Sequence, residues 1–253
     1  MKLTVVGCAG SFPSAESPAS CYLIEAPYEG RTFRLVVDLG SGALGALQRY
    51  VDLREVDAIA LSHLHPDHCF DLSGFYVVSK YHPAGALARI PVHAPAGAGK
   101  HLAVAYGIDE PVGMTEQFDF VEHVDGETVP VGPFAITPRL VDHPVPAFAL
   151  RIASDAHTIV YSGDTGPTQA LTDIAVGADI FLCEASFVES SVNPPNLHLT
   201  GAEAGEAATQ AGVGRLLITH IPAWTDPAEV ESDTKSTWDG PCELVSPGSV
   251  YEL

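Results

Sequence analysis

The stretch Ser62-His63-Leu64-His65-Pro66-Asp67-His68 places four side chains able to bind a metal within six positions. It directly follows the apolar run Val56-Asp57-Ala58-Ile59-Ala60-Leu61. That run reads as a buried strand, because apolar residues dominate and β-branched ones are present. Imidazole nitrogens and a carboxylate suit zinc and related divalent metals. Pro66 biases His65 toward extended geometry and blocks a helix through the cluster, so its side chains can fan toward more than one ion. A polar turn that happens to be rich in histidine is the bland alternative, and packing explains such a density poorly.

Further candidates stand where other elements end. Residues 2–8, 20–26 and 32–38 read as strands, and the third closes on Asp38 and the turn Gly40-Ser41-Gly42. Residues 42–50 read as a helix, 56–61 as the strand before the cluster, and 67 to about 80 as a helix with Leu72, Phe75, Tyr76 and Ser79 on one face. Strand 91–94, helix 97–106 and strands near 117–121, 127–131 and 133–140 follow, the last delivering His143. Strands 147–153 and 158–161 form a hairpin, and the second runs into Tyr161-Ser162-Gly163-Asp164-Thr165-Gly166. A carboxylate in such a glycine-rich turn can approach a metal without crowding. After helix 168–175 and strand 179–183, Thr200-Gly201-Ala202-Glu203 has the form of a capping box. It opens an alanine-rich helix and leaves His198 on the preceding loop. Strand 215–219 ends at His220, residues 226–236 read as a surface helix, and 242–251 as closing strand material.

His-x-His-x-Asp-His resembles the signature of the metallo-β-lactamase fold superfamily, the binuclear metallohydrolases, and the resemblance covers essentially the whole chain. It implies an α/β fold, a four-layer αβ/βα sandwich of two mixed sheets flanked by helices, as one domain over residues 1–253. It assigns His63, His65 and His143 to a first metal and Asp67, His68 and His220 to a second, with Asp164 shared. It gives Asp38 a supporting role behind the metal-binding loop, with an ordinary turn aspartate as the alternative, and Thr200 a similar supporting position. The zinc β-lactamases commonly place Cys at the second site, and the flavodiiron branch has Glu where His65 stands. Neither pattern is present. His82, His93, His101, His123 and His157 have no such context, and only His82 is placed by its loop position as a further candidate near the pocket.

Within the superfamily, His198-Leu199-Thr200 is similar to the His-x-Thr element of the phosphodiesterase branch that includes ribonuclease Z, where the matching His assists phosphate binding and protonates the leaving group. Gly7-Cys8-Ala9-Gly10-Ser11, Ser17-Pro18-Ala19-Ser20, Leu44-Gly45-Ala46-Leu47-Gln48-Arg49, Ser162–Gly166, Phe181-Leu182-Cys183-Glu184-Ala185-Ser186 and Thr219–Thr225 resemble the actinobacterial cyclic-nucleotide phosphodiesterases. That resemblance implies hydrolysis of 3′,5′-cyclic AMP, or cyclic GMP, to the 5′-monophosphate, and a homodimer.

Composition narrows the partners. Asp and Glu number 32 against 12 Lys and Arg, a net charge of −20. A field of that sign repels nucleic-acid backbones and anionic membranes, which leaves a small phosphodiester as the expected substrate. His143 and Asp164 are only 21 positions apart, too close for the basic arm that many bacterial ribonuclease Z enzymes insert there. No stretch of 18 apolar residues occurs, and the N-terminus lacks the apolar region and cleavage site of a signal peptide. Five scattered cysteines form no framework, so reduced thiols in a cytoplasm are expected.

The chemistry expected of such a centre is metal-assisted hydrolysis. Two divalent ions roughly 3.5–4 Å apart lower the pKa of a shared water from about 15.7 toward ~7. Zinc is favoured by ligand type, with manganese or iron as alternatives. Asp67 is placed to orient the nucleophile, and His198 to protonate a departing alkoxide. A base is expected to stack on Trp224, Phe148 or Phe75. The rival functions are a ribonuclease of the ribonuclease Z type, a thioesterase or lactonase of the same fold, and a metal-binding scaffold without turnover.

Overall fold

The computed structural model describes residues 1–108 and 113–253. Two seven-stranded sheets face one another. The first contains β1 (Lys2–Gly7), β2 (Cys21–Tyr28), β3 (Arg31–Val37), β4 (Ala58–Ala60), β5 (Ile90–Ala94), β6 (Phe118–Glu122) and β14 (Val250–Glu252). Its order is β14-β1-β2-β3-β4-β5-β6. The second contains β7 (Val129–Val131), β8 (Phe134–Leu140), β9 (Phe148–Ala153), β10 (Thr158–Tyr161), β11 (Ile180–Glu184), β12 (Leu216–Thr219) and β13 (Cys242–Leu244). Its order is β13-β12-β11-β10-β9-β8-β7. Each sheet is antiparallel in one half and parallel in the other. The change falls after β3 in one sheet and after β10 in the other.

Alternation within the strands builds three apolar layers. Tyr22 and Ile24 of β2 face the second sheet and share one apolar layer with Ile159 and Leu182, with the Tyr22 and Tyr161 ring centres 5.0 Å apart. Cys21 and Leu23 face the other way, under α1 (Ala43–Leu47) and α3 (Leu72–Tyr81), with α4 (Ala98–Tyr106) completing that layer. On the far side Phe181 and Cys183 of β11 lie beneath α5 (Gln169–Ala175), α6 (Gly201–Ala211) and α7 (Pro227–Thr237). Strands covered on both faces read as continuous apolar runs. Burying one such leucine or phenylalanine contributes about 1.5–3 kcal/mol. The architecture is the expected αβ/βα sandwich. No helix among the described residues is long and apolar enough to cross a membrane.

Three elements differ from the sequence reading, and one of the differences matters for the site. The helix expected from 67 to about 80 is broken into α2 (Pro66–Cys69) and α3. The His68 carbonyl accepts from Leu39 N–H at 2.8 Å, and Asp71 N–H donates to the Leu39 carbonyl at 3.1 Å. These backbone groups are tied to the loop after β3 instead of continuing the helical ladder. Pro66 does not exclude helix from the cluster. It occupies the first turn of α2, where its missing N–H is not needed. The helix expected over 42–50 is confined to Ala43–Leu47, and the closing segment 242–251 divides into β13 and β14, one in each sheet.

Candidate metal centre

Most of the clustered side chains stand at the carboxyl ends of strands. Asp38 follows β3, the His63–His68 segment β4, His143 β8, Asp164 β10 and His220 β12, while Glu184 closes β11. The opening between strand ends is the usual ligand position in α/β sheets. The structure brings His63, His65, His143 and Asp164 into one group and Asp67, His68, Asp164 and His220 into another, with the potential ligand atoms of each group within 4.8 Å of one another. Asp164 belongs to both. Its Oδ2 lies 3.6 Å from His63 Nε2, and its Oδ1 lies 3.2 Å from His68 Nε2 and 3.4 Å from His220 Nε2. Gly163 precedes it with φ +59°, and a Cβ there would stand 2.8 Å from the Phe148 carbonyl oxygen. Only glycine fits that turn without strain.

Hydrogen bonds on the outer side of the rings determine which nitrogens face inward. His68 Nδ1–H donates to Asp38 Oδ2 at 2.7 Å, and His143 Nδ1–H to the Leu197 carbonyl at 2.9 Å. His63 Nδ1 meets Ser62 Oγ at 3.1 Å, and His220 Nδ1 meets Ser186 Oγ at 2.9 Å. Each partner leaves Nε2 with its lone pair directed inward, the tautomer metal-binding histidines need. Lone pairs then face lone pairs. His68 Nε2 lies 3.1 Å from His220 Nε2. His65 Nδ1 lies 3.1 Å from His63 Nε2 and 3.3 Å from His143 Nε2. Asp164 Oδ1 is buried without a hydrogen-bond partner among the described residues. Such convergent donors repel one another unless a proton or a metal cation lies between them. Without metal His68 holds a proton, and two converging groups of nitrogen and carboxylate donors fit a pair of divalent ions.

Asp38 is the hub behind this array. It is fully buried with φ +55°, in the left-handed region. Its Oδ1 accepts from Ser62 N–H at 2.7 Å. Its Oδ2 accepts from Ser62 Oγ at 2.8 Å and Tyr161 O–H at 2.9 Å, besides His68. In the metal-free polypeptide burial opposes charge on His68, but Asp164 and Asp38 outweigh it and hold the pKa well above the ordinary imidazole value. His63, with weaker compensation, is pushed well below it by burial. Asp164 is held well below the usual carboxylate range, since His220, His68 and His63 outweigh its burial.

His198 stands beside both groups, its ring centre 5.7 Å from that of His143 and 5.4 Å from that of His220. Its Nδ1 lies 2.9 Å from Glu184 Oε1. Burial works against its charge, but the Glu184 carboxylate outweighs it and raises the pKa to about 9. Glu184 is fully buried and also accepts from Thr165 N–H at 2.9 Å and Ser186 Oγ at 3.0 Å. It thereby ties the Asp164 turn, His198 and the support of His220 together. Sequence reasoning gives Glu184, Ser186 and Tyr161 no role. The signal that could find Glu184 is the strand-end acid in Leu182-Cys183-Glu184, the same pattern that marks Asp38.

Several expected positions are corrected. Phe148 and Phe75 are core residues, 7% and 1% exposed. Phe148 alternates inward with Leu150 and Ile152 and packs on His123 at 5.1 Å between ring centres, so it offers no face to a base. Thr200 does not stand behind a metal ligand. Its hydroxyl accepts from Glu203 N–H at 3.2 Å and donates to Glu189, capping α6, and it acts on the site only by fixing the end of the loop that carries His198. His82 lines a separate surface pocket with Gln48, Asp52 and Arg54. Trp224, in contrast, is not corrected: it is 72% exposed and lies against Phe12.

Fold and site together define a metallo-hydrolase of the β-lactamase fold. The chain belongs to the beta-lactamase superfamily domain family, whose model matches residues 34–221. An uncharacterized protein of Mycobacterium leprae is 46% identical, covering 100% of this chain and 89% of its own length. The probable metallo-hydrolase YhfI of Bacillus subtilis is 30% identical over 100% of both chains. The crystal structure of YhfI, described as a metallo-beta-lactamase fold protein, superposes with a TM-score of 0.87 at 28% identity over 99% of each chain. Ribonuclease Z of Myxococcus xanthus is 24% identical, covering 100% of this chain and 98% of its own.

Proposed function

We propose that the chain is a binuclear-metal phosphodiesterase that hydrolyses 3′,5′-cyclic nucleotides, cyclic AMP foremost, to 5′-monophosphates. In this reading His63, His65 and His143 would hold one divalent ion and Asp67, His68 and His220 the second, with Asp164 available to both. Zinc suits the nitrogen-rich donor set, with manganese or iron as alternatives. When bound, the ions supply Lewis acidity and a water acidic enough to attack at neutral pH. The chain's own residues do the rest. Asp67 turns Oδ2 toward His220 and His68, at 3.2 and 3.4 Å, and leaves its other oxygen to orient the attacking water. His198 donates a proton to the departing 3′ oxygen, and Glu184 holds the imidazole in the orientation that this needs.

The observation that carries the reading is the His198–Glu184 pair lying against both candidate metal groups. An alkoxide leaving phosphorus needs a proton donor. A thiolate leaving a thioester does not, so a thioesterase leaves the pair without a task. The small substrate follows from charge and shape. A net charge of −20 disfavours polyanions, and the hairpin of β9 and β10 turns tightly at residues 154–157, in the interval where the ribonuclease branch carries its arm. A cytoplasmic homodimer completes the reading. The five free cysteines support the compartment, and the resemblance to the cyclic-nucleotide enzymes supports the dimer, which sedimentation equilibrium tests.

The deciding experiment is product analysis. Metal-loaded protein is given cyclic AMP, cyclic GMP, bis(p-nitrophenyl) phosphate, a thioester, a lactone and a short RNA. Conversion of cyclic AMP to 5′-AMP as the fastest reaction supports the reading. Faster turnover of the thioester, lactone or RNA replaces it with the corresponding rival.

A further inference from the structure

Beside the centre lies a pair of exposed aromatic rings that the hydrolytic machinery leaves unused. Phe12 is 37% and Trp224 72% exposed, yet their ring centres are 4.8 Å apart. Single exposed apolar residues are ordinary; here two aromatic rings in contact share one exposed spot.

The backbone puts this pair at the lip of the site. Gly10 N–H donates to the Ile221 carbonyl at 3.2 Å, and Ala9 and Ile221 form an isolated bridge, so the two segments run side by side past His220. A Cβ on Gly10 would stand 2.2 Å from the His220 carbonyl oxygen, so the approach is as close as a peptide can make. Ser11 then turns sharply with φ +63°, which brings its N–H within 3.4 Å of His220 Nε2. Phe12 is the next residue. On the other segment, Thr225 N–H closes on the Pro222 carbonyl at 2.9 Å, and Trp224 sits in that turn. Both aromatic side chains therefore issue from the two short segments that frame His220.

We propose that the Phe12–Trp224 pair is the platform on which the planar base of a nucleotide stacks while its phosphate sits at the His220 side of the centre. The inference rests on the phosphodiesterase reading for the phosphate; it keeps Trp224 from the sequence expectation and adds Phe12 and the paired geometry that recognise the base. Stacking on aromatic side chains is tolerant of base identity, so this platform binds purines of either kind and gives weak discrimination between cyclic AMP and cyclic GMP.

The test is equilibrium binding, which needs no turnover. Metal-loaded protein is titrated with adenosine 5′-monophosphate, guanosine 5′-monophosphate and ribose 5-phosphate, followed by tryptophan fluorescence and by calorimetry. Both nucleotides should quench the emission and bind about tenfold more tightly than ribose 5-phosphate. In Phe12→Ala and Trp224→Ala, read by calorimetry, most of that preference should disappear while ribose 5-phosphate affinity and metal content stay as they were. Equal affinity for the three ligands, or a preference that survives both substitutions, overturns the platform. So does a dimer that dissociates in both variants, which makes the rings an interface between copies. A failure to hydrolyse cyclic nucleotides, with the binding preference intact, counts against the proposed reaction and leaves the platform standing.

Discussion

Glu184 and His198 are joined at 2.9 Å although they stand 14 positions apart, and the carboxylate is fully buried while the imidazole reaches the site. The consequence is a split between two substitutions. His198→Ala should lower kcat by ~10²–10⁴-fold on a phosphodiester with an alkoxide leaving group, with two metals per chain retained. Glu184→Gln keeps the shape but removes the charge that raises His198. Its rate should fall less, and the basic limb of its pH profile should move from about 9 toward lower pH, because the donor loses its proton earlier. With p-nitrophenolate as leaving group both losses should shrink. Steady-state kinetics on the two substrate types, with metal analysis, checks this.

Asp38→Asn should weaken metal binding without touching a ligand. His68 loses the carboxylate that orients it, and such outer partners typically account for ~10–100-fold in affinity. Tyr161→Phe removes only one of the groups that donate to Asp38, and the expected loss is smaller, about 1 kcal/mol of stability. Chelator competition and thermal melts separate the two.

Asp164 faces both groups, so Asp164→Ala should reduce bound metal at both positions, whereas His143→Ala should affect the first ion chiefly. Removing metal from the unaltered protein should lower Tm, since any ion that binds only the folded chain stabilises it by mass action. Metal quantification alongside calorimetry at fixed free zinc measures each case.

Acid should destabilise the protein partly through His123, which lies away from the ligands and donates Nε2–H to the Leu61 carbonyl at 3.0 Å. Burial depresses its pKa to about 4, against an unfolded value near ~6.5. Between those values the unfolded chain binds the proton and the folded chain does not. The associated stability is complete above pH ~6.5 and is lost as pH falls through about 4, a difference of about 3 kcal/mol. His123→Gln should therefore lose less Tm than the unaltered protein between pH 7 and 5.

Much of this arrangement is legible in the sequence, for identifiable reasons. His63, His65, Asp67 and His68 crowd a strand end, and His143, Asp164 and His220 each stand at another, so a run of apolar residues followed by a ligand type is a sufficient signal. Thr200 and Glu203 form the capping box their spacing predicts, although Thr200 has no supporting role behind the metal ligands. Glu184 escapes because a strand-end carboxylate looks like a turn residue until its partner is placed in space. Phe148 reads as a pocket aromatic only while its alternation with Leu150 and Ile152, which points it inward, is overlooked. The break between α2 and α3 lies beyond local reasoning, since it depends on backbone bonds to Leu39, 29 residues before His68 in the chain.

The two sheets contribute unequally placed halves of one coordination sphere. His63, His65, Asp67 and His68 come from the segment after β4, in the first sheet, and His143, Asp164 and His220 from the second. A cation held by both would work as a clasp across the seam. Cutting the chain between β6 and β7 would yield two fragments, neither with a full set of donors, whose reassembly should be driven as much by zinc in the medium as by their apolar faces.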